Sequence, residues 1–189
     1  MRYLLELILI SLVIGCGRDM ASDKEGAKNE RDFAEFLKTI PNHSLPLELS
    51  CGLPNETNSV KEFEIFNKFI PKSIDKIFGE IENNTEDLKL IIYGQTGDDI
   101  YPIIFSFDNK GAIKDSLFLI LKGCGGADEY QIPHSFVTIS KDLTITLTDT
   151  TQLIHFPKQS KSVDDFVVDS LRISKVLIKV SKDGKFVKQ

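Results

Sequence analysis

The residues best suited to chemistry lie in one glycine-rich loop, Gly123 to Tyr130. Glycine lets the backbone approach a ligand closely, and the loop also carries two carboxylates. The residues that could form a binding surface there are Gly125, Gly126, Asp128, Glu129 and Tyr130. Two interpretations stay open: a loop that contacts a ligand or partner, or a bend around a disulfide at Cys124. We favour the bend.

The sequence contains none of the common local motifs of catalytic or metal sites. It has no G-x-S-x-G elbow, H-E-x-x-H, P-loop, paired C-x-x-C or EF-hand loop. Asp108-Asn109-Lys110-Gly111 offers too few oxygens for calcium and is typical of a hairpin turn. His43, His134 and His155 stand alone, which favours isolated histidines over a zinc site. We predict no catalytic residue, metal or cofactor.

Alternating and apolar runs on both sides of the loop predict the strands that would position it. These are Leu88–Tyr93, Tyr101–Phe107, Ala112–Leu121, Ser135–Ile139, Leu143–Leu147, Leu171–Val180 and Lys185–Val187. Asx-type and glycine turns separate several of them, which favours hairpins. Leu117 to Leu121 is apolar on both faces, so it predicts a central strand.

The N-terminal part predicts short helices. Phe33, Phe36, Leu37 and Ile40 share one helical face before Pro41, and Val60, Phe63, Phe66 and Ile70 suggest a second helix before Pro71. Leu45, Leu47 and Leu49 alternate as in an edge strand. The expected fold class is α+β and β-dominated: an antiparallel meander sheet with one or two short N-terminal helices.

Residues 1–15 are typical of a secretory signal peptide. Arg2 precedes an apolar core that is too short to span a membrane. The segment ends in Val13-Ile14-Gly15-Cys16, which resembles the lipobox of bacterial lipoproteins. This resemblance implies cleavage before Cys16 and acylation of that cysteine, so the membrane would be a partner through Cys16.

The resemblance also suggests where the mature chain resides and how it is divided. Residues 16–30 are polar and predict a flexible tether, and residues 31–189 predict a single β-rich globular domain. Gly17 after the anchor argues, by resemblance to the enteric sorting rule, for the outer membrane, facing the periplasm or the surface. The chain is similar in style to small cell-envelope lipoproteins of the Bacteroidota.

Acylation of Cys16 would leave two thiols, Cys51 and Cys124. Export places them in an oxidising compartment, where paired cysteines persist. We therefore expect a Cys51–Cys124 disulfide that ties the N-terminal part to the central sheet. The alternative is two unpaired buried cysteines that act as small apolar residues.

Composition narrows the function classes. The net charge is −5 and no basic face is evident, so nucleic-acid binding is disfavoured. Lysines that enrich the C-terminal hairpin are better explained as protection of an edge strand than as a binding stripe. The expected function is a non-catalytic binding or structural role in the cell envelope, with an unidentified protein or small-molecule partner. The alternatives are an envelope hydrolase or ligand-processing enzyme, and an inhibitor or immunity-like protein.

Overall fold

A computed structural model describes residues 19–50, 53, 57–83, 85, 87–97, 100–120, 131–158 and 166–189. These residues form one α-helix, α1 (Asp19–Thr39), and a 3₁₀ helix (Val60–Phe69) that is kinked, because Phe63 and Phe66 have non-helical φ and ψ angles. The strands are β1 (Asn42–His43), β2 (Leu47–Ser50), β3 (Asn58–Ser59), β4 (Lys76–Ile81), β5 (Leu88–Thr96), β6 (Ile100–Asp108), β7 (Ile113–Phe118), β8 (Gln131–Ile139), β9 (Thr144–His155), β10 (Val167–Val180) and β11 (Phe186–Lys188). The predicted α+β, β-dominated class is confirmed.

The strands divide between two sheets. The first has the order β1-β4-β5-β6-β7, with β3 also paired to β4, and the second has the order β11-β10-β9-β8-β2. Every pair is antiparallel except β1 with β4. The meander therefore runs through β4 to β7 in one sheet and β8 to β11 in the other.

Two apolar cores explain why β5 and β6 are buried on both faces. The inter-sheet core contains Leu49, Leu53, Ile81, Leu88, Leu90, Ile92, Ile100, Ile104, Leu119, Val137, Ile139, Ile145, Leu147, Ile178 and Val180. The helix-side core contains Phe33, Phe36, Ile40, Phe63, Phe69, Ile74, Ile77, Ile91, Tyr93, Ile103, Phe105 and Phe107. The first sheet is thus the middle of three layers, with helices on one face and the second sheet on the other.

The helix-side core uses the apolar face that the sequence predicts for α1. Phe33 and Phe36 are fully buried, and the Phe33 ring lies 4.9 Å from that of Phe69 and 5.4 Å from that of Phe107. The Tyr93 hydroxyl donates a hydrogen bond to Phe69 O at 3.0 Å, and burial raises the pKa of this tyrosine. The second predicted helix forms as the 3₁₀ helix and packs against α1.

The helix α1 begins earlier than the sequence predicted. It starts at Asp19, inside residues 16–30 that were expected to be a flexible tether, so that expectation is wrong for residues 19–30. The physical reason is propagation: once Phe33 and Phe36 anchor the helix, each further residue adds one hydrogen bond without a second nucleation step. The segment is also rich in alanine, lysine and glutamate, which favour helix.

Strand β7 is not the central strand that its apolar run suggested. It pairs only with β6 among the described strands and ends the first sheet, and Phe118 is 57% exposed. No β7 residue belongs to the helix-side core, because the helices cover only β4 to β6. The edge of β7 instead meets the second sheet, where Phe186 N donates to the Asp115 carboxylate at 3.0 Å.

The predicted hairpin turns are present and use the expected local chemistry. The Asp108 carboxylate accepts from Lys110 N at 3.0 Å, and Gly111 has a φ of 78°. In the β8–β9 turn, hydrogen bonding to the Lys179 ammonium holds the pKa of the Asp142 carboxyl well below its usual range. This contact fixes the turn to the neighbouring strand β10.

Candidate functional site

The residues that the sequence singled out for chemistry do not fall in the described part of the chain. Cys16, Cys51, Cys124, Gly125, Gly126, Asp128, Glu129 and Tyr130 all lie outside it. Lipidation, the disulfide and the binding loop therefore stay predictions.

The three histidines have separate surroundings. Their contacts are His43 Nε2 with Phe78 O (3.1 Å), His134 Nε2 with Ser50 Oγ (3.1 Å) and His155 Nδ1 with Asp169 Oδ1 (2.7 Å). His134 lies opposite Thr150, and His155 is about 16 Å further along β9 at ~3.3 Å per residue. Within the described ranges, no group of three or more His, Cys, Asp or Glu side chains could hold a metal ion.

The most distinctive feature of the described residues is the free edge of β10. This strand pairs with β9 along almost its whole length, from Val167 to Lys179. On its other side, β11 covers only Ile178 to Val180. The part of β10 before Leu177 consequently has no neighbouring strand on that side among the described residues. We call the segment Leu171–Val176 the open edge.

The open edge presents a regular array of backbone groups that have no backbone partner among the described residues. Leu177 O accepts from Gln189 N at 2.9 Å, so the polar backbone groups of Leu177 point away from β9. In an antiparallel ladder, every second residue points its N–H and C=O to the same side. The N–H and C=O groups of Leu171, Ile173 and Lys175 therefore also face away from β9, and the described residues give them no backbone partner there.

The same residues expose apolar side chains. Val176, Ile178 and Val180 turn toward the inter-sheet core, so the alternate positions turn outward. On that outer face Leu171 is 53% exposed and Ile173 is 58% exposed. Two large aliphatic groups beside unpaired backbone form a surface that could bind an extended chain.

The opposite, inner face of the same region is polar and contains a buried carboxylate. Asp149 continues the inward-facing series of Ile145 and Leu147 on β9, and it is only 3% exposed. Its Oδ1 accepts a hydrogen bond from the Ser135 hydroxyl at 2.5 Å. Its Oδ2 has no hydrogen-bond partner within the described structure. A buried acceptor left unsatisfied costs about 1–3 kcal/mol, so its persistence calls for an explanation.

A cavity of about 420 Å³ lies against Asp149 and the open edge. It is lined by Gln131, Asp149, Thr151, Arg172, Ile173 and Ser174. Arg172 is opposite Thr151 and Ser174 is opposite Asp149, so both share the inner face with the carboxylate. Arg172 forms no salt bridge with Asp149 in the described structure. The lining of the cavity thus includes one carboxylate and one guanidinium that are not joined in a salt bridge among the described residues.

The sequence does contain a signal for this site that the motif search missed. Strand β9 projects four alternate residues to the same face: Ile145, Leu147, Asp149 and Thr151. The first two of them lie in the inter-sheet core. A charged residue in the buried phase of an alternating strand predicts a polar cavity. A search for local motifs does not detect such a residue, because its partners come from other strands.

Among the helices described, none combines the length and apolar character needed to cross a bilayer. No family model matches the chain, and neither a curated protein nor a solved structure is significantly similar to it.

Proposed function

We propose that this is a non-catalytic, lipid-anchored protein of the outer membrane that binds a partner protein by strand addition to the open edge of β10. The observation that carries the proposal is the array of outward-facing backbone groups at Leu171, Ile173 and Lys175 beside exposed aliphatic side chains. Strand addition gives affinity through the main chain and specificity through pockets for alternate side chains.

The composition of the open edge supports binding over simple protection. Edge strands that only need protection from aggregation carry charges or proline at their exposed positions. Lys175 fits that pattern, but the next two outward-facing residues are Ile173 and Leu171. An accessible edge with aliphatic side chains associates with other strands unless a partner covers it, which favours a cognate partner.

The open edge can be tested by removing one backbone donor. Proline at position 173 lacks the N–H that points away from β9, while the ladder to β9 keeps its own donors. With a photoreactive side chain at position 171, native cells should yield a crosslinked partner, and Ile173→Pro should reduce that crosslink at least about tenfold. Crosslinked bands on a denaturing gel measure the effect.

The matched control is Ile173→Thr, which keeps the N–H and has high strand propensity. It should retain most of the crosslink, and both variants should melt within a few degrees of the parent. A crosslink that survives Ile173→Pro in a folded protein would contradict strand addition.

The lipid anchor is supported by the lipobox Val13-Ile14-Gly15-Cys16. Each buried methylene contributes about 0.8 kcal/mol to membrane binding, so two or three acyl chains hold a protein firmly. We expect Cys16→Ser either to leave the precursor uncleaved or to release the protein from membranes. Fractionation and intact mass measure this, with Cys51→Ser as the control that keeps the anchor. Mature, acylated Cys16→Ser protein in the membrane fraction would refute the anchor.

One observation favours the hydrolase as a second candidate. Ser50 Oγ lies 3.1 Å from His134 Nε2, which is the distance at which a histidine can activate a serine nucleophile. We rank it second because this contact lies at an exposed position, where a hydrogen bond between a serine and a histidine is also an ordinary surface interaction. A fluorophosphonate probe that labels the parent but not Ser50→Ala would establish the hydrolase instead.

A further inference from the structure

The cavity beneath the open edge explains what kind of strand would bind there. This inference rests on the proposed strand addition and extends it to the side chains of the partner. We propose that the added strand carries a lysine or arginine that reaches Asp149 and, two residues later, an aspartate or glutamate that pairs with Arg172.

The alternation of the sheet places these side chains. In an antiparallel pair, directly opposite residues project to the same face. A partner residue opposite Ser174 would therefore project to the inner face, where Ser174 is itself opposite Asp149. Adjacent strands lie about 4.8 Å apart, so the partner residue would be ~9.6 Å from the Asp149 backbone. The long stem of a lysine or arginine can span that gap over the small serine.

Arg172 sets the second requirement. It lies two residues before Ser174 on the same face of β10. A partner residue opposite Arg172 is thus two positions from the one opposite Ser174, and a carboxylate there would face the guanidinium. Arg and carboxylate groups form paired hydrogen bonds of defined geometry.

The charges of the cavity favour an occupant that carries both a positive and a negative group. A lone cation at Asp149 would be repelled by Arg172, and a lone anion at Arg172 would be repelled by Asp149. Ser135 donates a hydrogen bond to Asp149 Oδ1 only. The buried Oδ2 therefore still needs a hydrogen-bond donor of its own. A pair of side chains with opposite charges satisfies both groups together, and Gln131 and Thr151 offer further hydrogen bonds at the wall.

The antiparallel arrangement of the second sheet also fixes the order of the pair. An antiparallel strand meets Ser174 before Arg172, so the motif in the partner is cation-x-carboxylate. A parallel strand would require the reverse order. Sequence order is therefore a measurable consequence of the proposed geometry.

Fluorescence anisotropy with labelled nine-residue peptides tests this. Full-length protein in detergent would be titrated with a Thr/Val alternating peptide carrying Lys-Thr-Glu at its centre, its Glu-Thr-Lys reverse, and a Gln-Thr-Gln version. We expect the Lys-Thr-Glu peptide to bind at least about tenfold more tightly than both others. Asp149→Asn and Arg172→Gln should each remove that advantage while leaving the Gln-Thr-Gln peptide unaffected.

The control is Lys182→Gln, an exposed lysine in the turn after β10 and outside the open edge, which should not change the order of affinities. Equal affinity for the three peptides would overturn the charge pairing and leave strand addition standing. The absence of binding by every peptide would overturn both proposals. Binding of free lysine, with the peptides unbound, would assign the cavity to a small molecule and also overturn the pairing. If Asp149→Asn fails to fold, the relative affinities of the three peptides for the parent protein still decide whether the charge pairing is correct.

Discussion

Replacing Phe36 with alanine is expected to destabilise the protein by about 3–5 kcal/mol. Phe36 is fully buried, and its ring centroid lies 5.5 Å from that of Phe66 and 5.7 Å from that of Phe69. Truncation would leave a cavity between α1, the 3₁₀ helix and the first sheet. A β-sheet bounds that cavity on one side, so the cavity cannot collapse fully. We therefore expect the loss in the free energy of unfolding to lie near the upper end of this range. Urea unfolding followed by far-ultraviolet circular dichroism measures the change.

The matched control lies on the 3₁₀ helix that Phe36 packs against. Ile65 is 86% exposed, so Ile65→Ala should change the free energy of unfolding by less than about 0.5 kcal/mol. A loss below about 1 kcal/mol for Phe36→Ala would show that α1 is not docked on the sheet. The same outcome would remove the middle-layer position of the first sheet.

Replacing Gly79 with alanine is expected to cost at least about 3 kcal/mol. Gly79 has a φ of 150°, which L residues rarely adopt, and it lies at the irregularity in the β4–β5 pairing. An added Cβ would lie 2.3 Å from Pro41 O and 2.9 Å from the His43 ring. Pro41 O accepts the hydrogen bond of Glu80 N at 2.8 Å, so it cannot retreat without breaking the β1–β4 contact.

Replacing Gly26 with alanine is expected to change the stability of the protein in the opposite direction. It lies within α1, and a Cβ there would be 3.6 Å from the nearest atom, Lys110 Nζ. Gly26→Ala should therefore stabilise the protein by up to about 1 kcal/mol, because alanine has the higher helix propensity. Urea titrations of the two variants beside the parent test both signs. A Gly79→Ala protein as stable as the parent would refute the close packing of β4 on β1.

Local chemistry explains the elements that the sequence predicted well. The apolar spacing of Phe33, Phe36 and Ile40 forms one helical face regardless of its partner. The Asp108 turn closes through hydrogen bonds within its own residues, so its sequence is sufficient to specify it. Such interactions join residues a few positions apart, and a linear pattern records them.

The errors arose where a partner element decides the outcome. Leu117 to Leu121 has the composition of a central strand, yet β7 is the last of the described strands in its sheet and lies beyond the strands β4 to β6 that the helices cover. Residues 19–30 are polar, yet they are helical because the anchored part of α1 lowers the cost of extending it. Composition alone does not show which elements lie beside β7, or that residues 19–30 continue an anchored helix.

For the fold and the candidate site together, some features follow from local sequence and others from tertiary contacts. By itself, the sequence determined the strand periods, the hairpin turns and the β-dominated class. Only the tertiary structure decided that β11 pairs with Ile178 to Val180, that Arg172 shares a cavity with Asp149, and that Ser174 lies opposite the carboxylate. The physical reason is that strand order, strand length and the facing of two sheets depend on contacts between residues far apart in the chain, which no local pattern encodes.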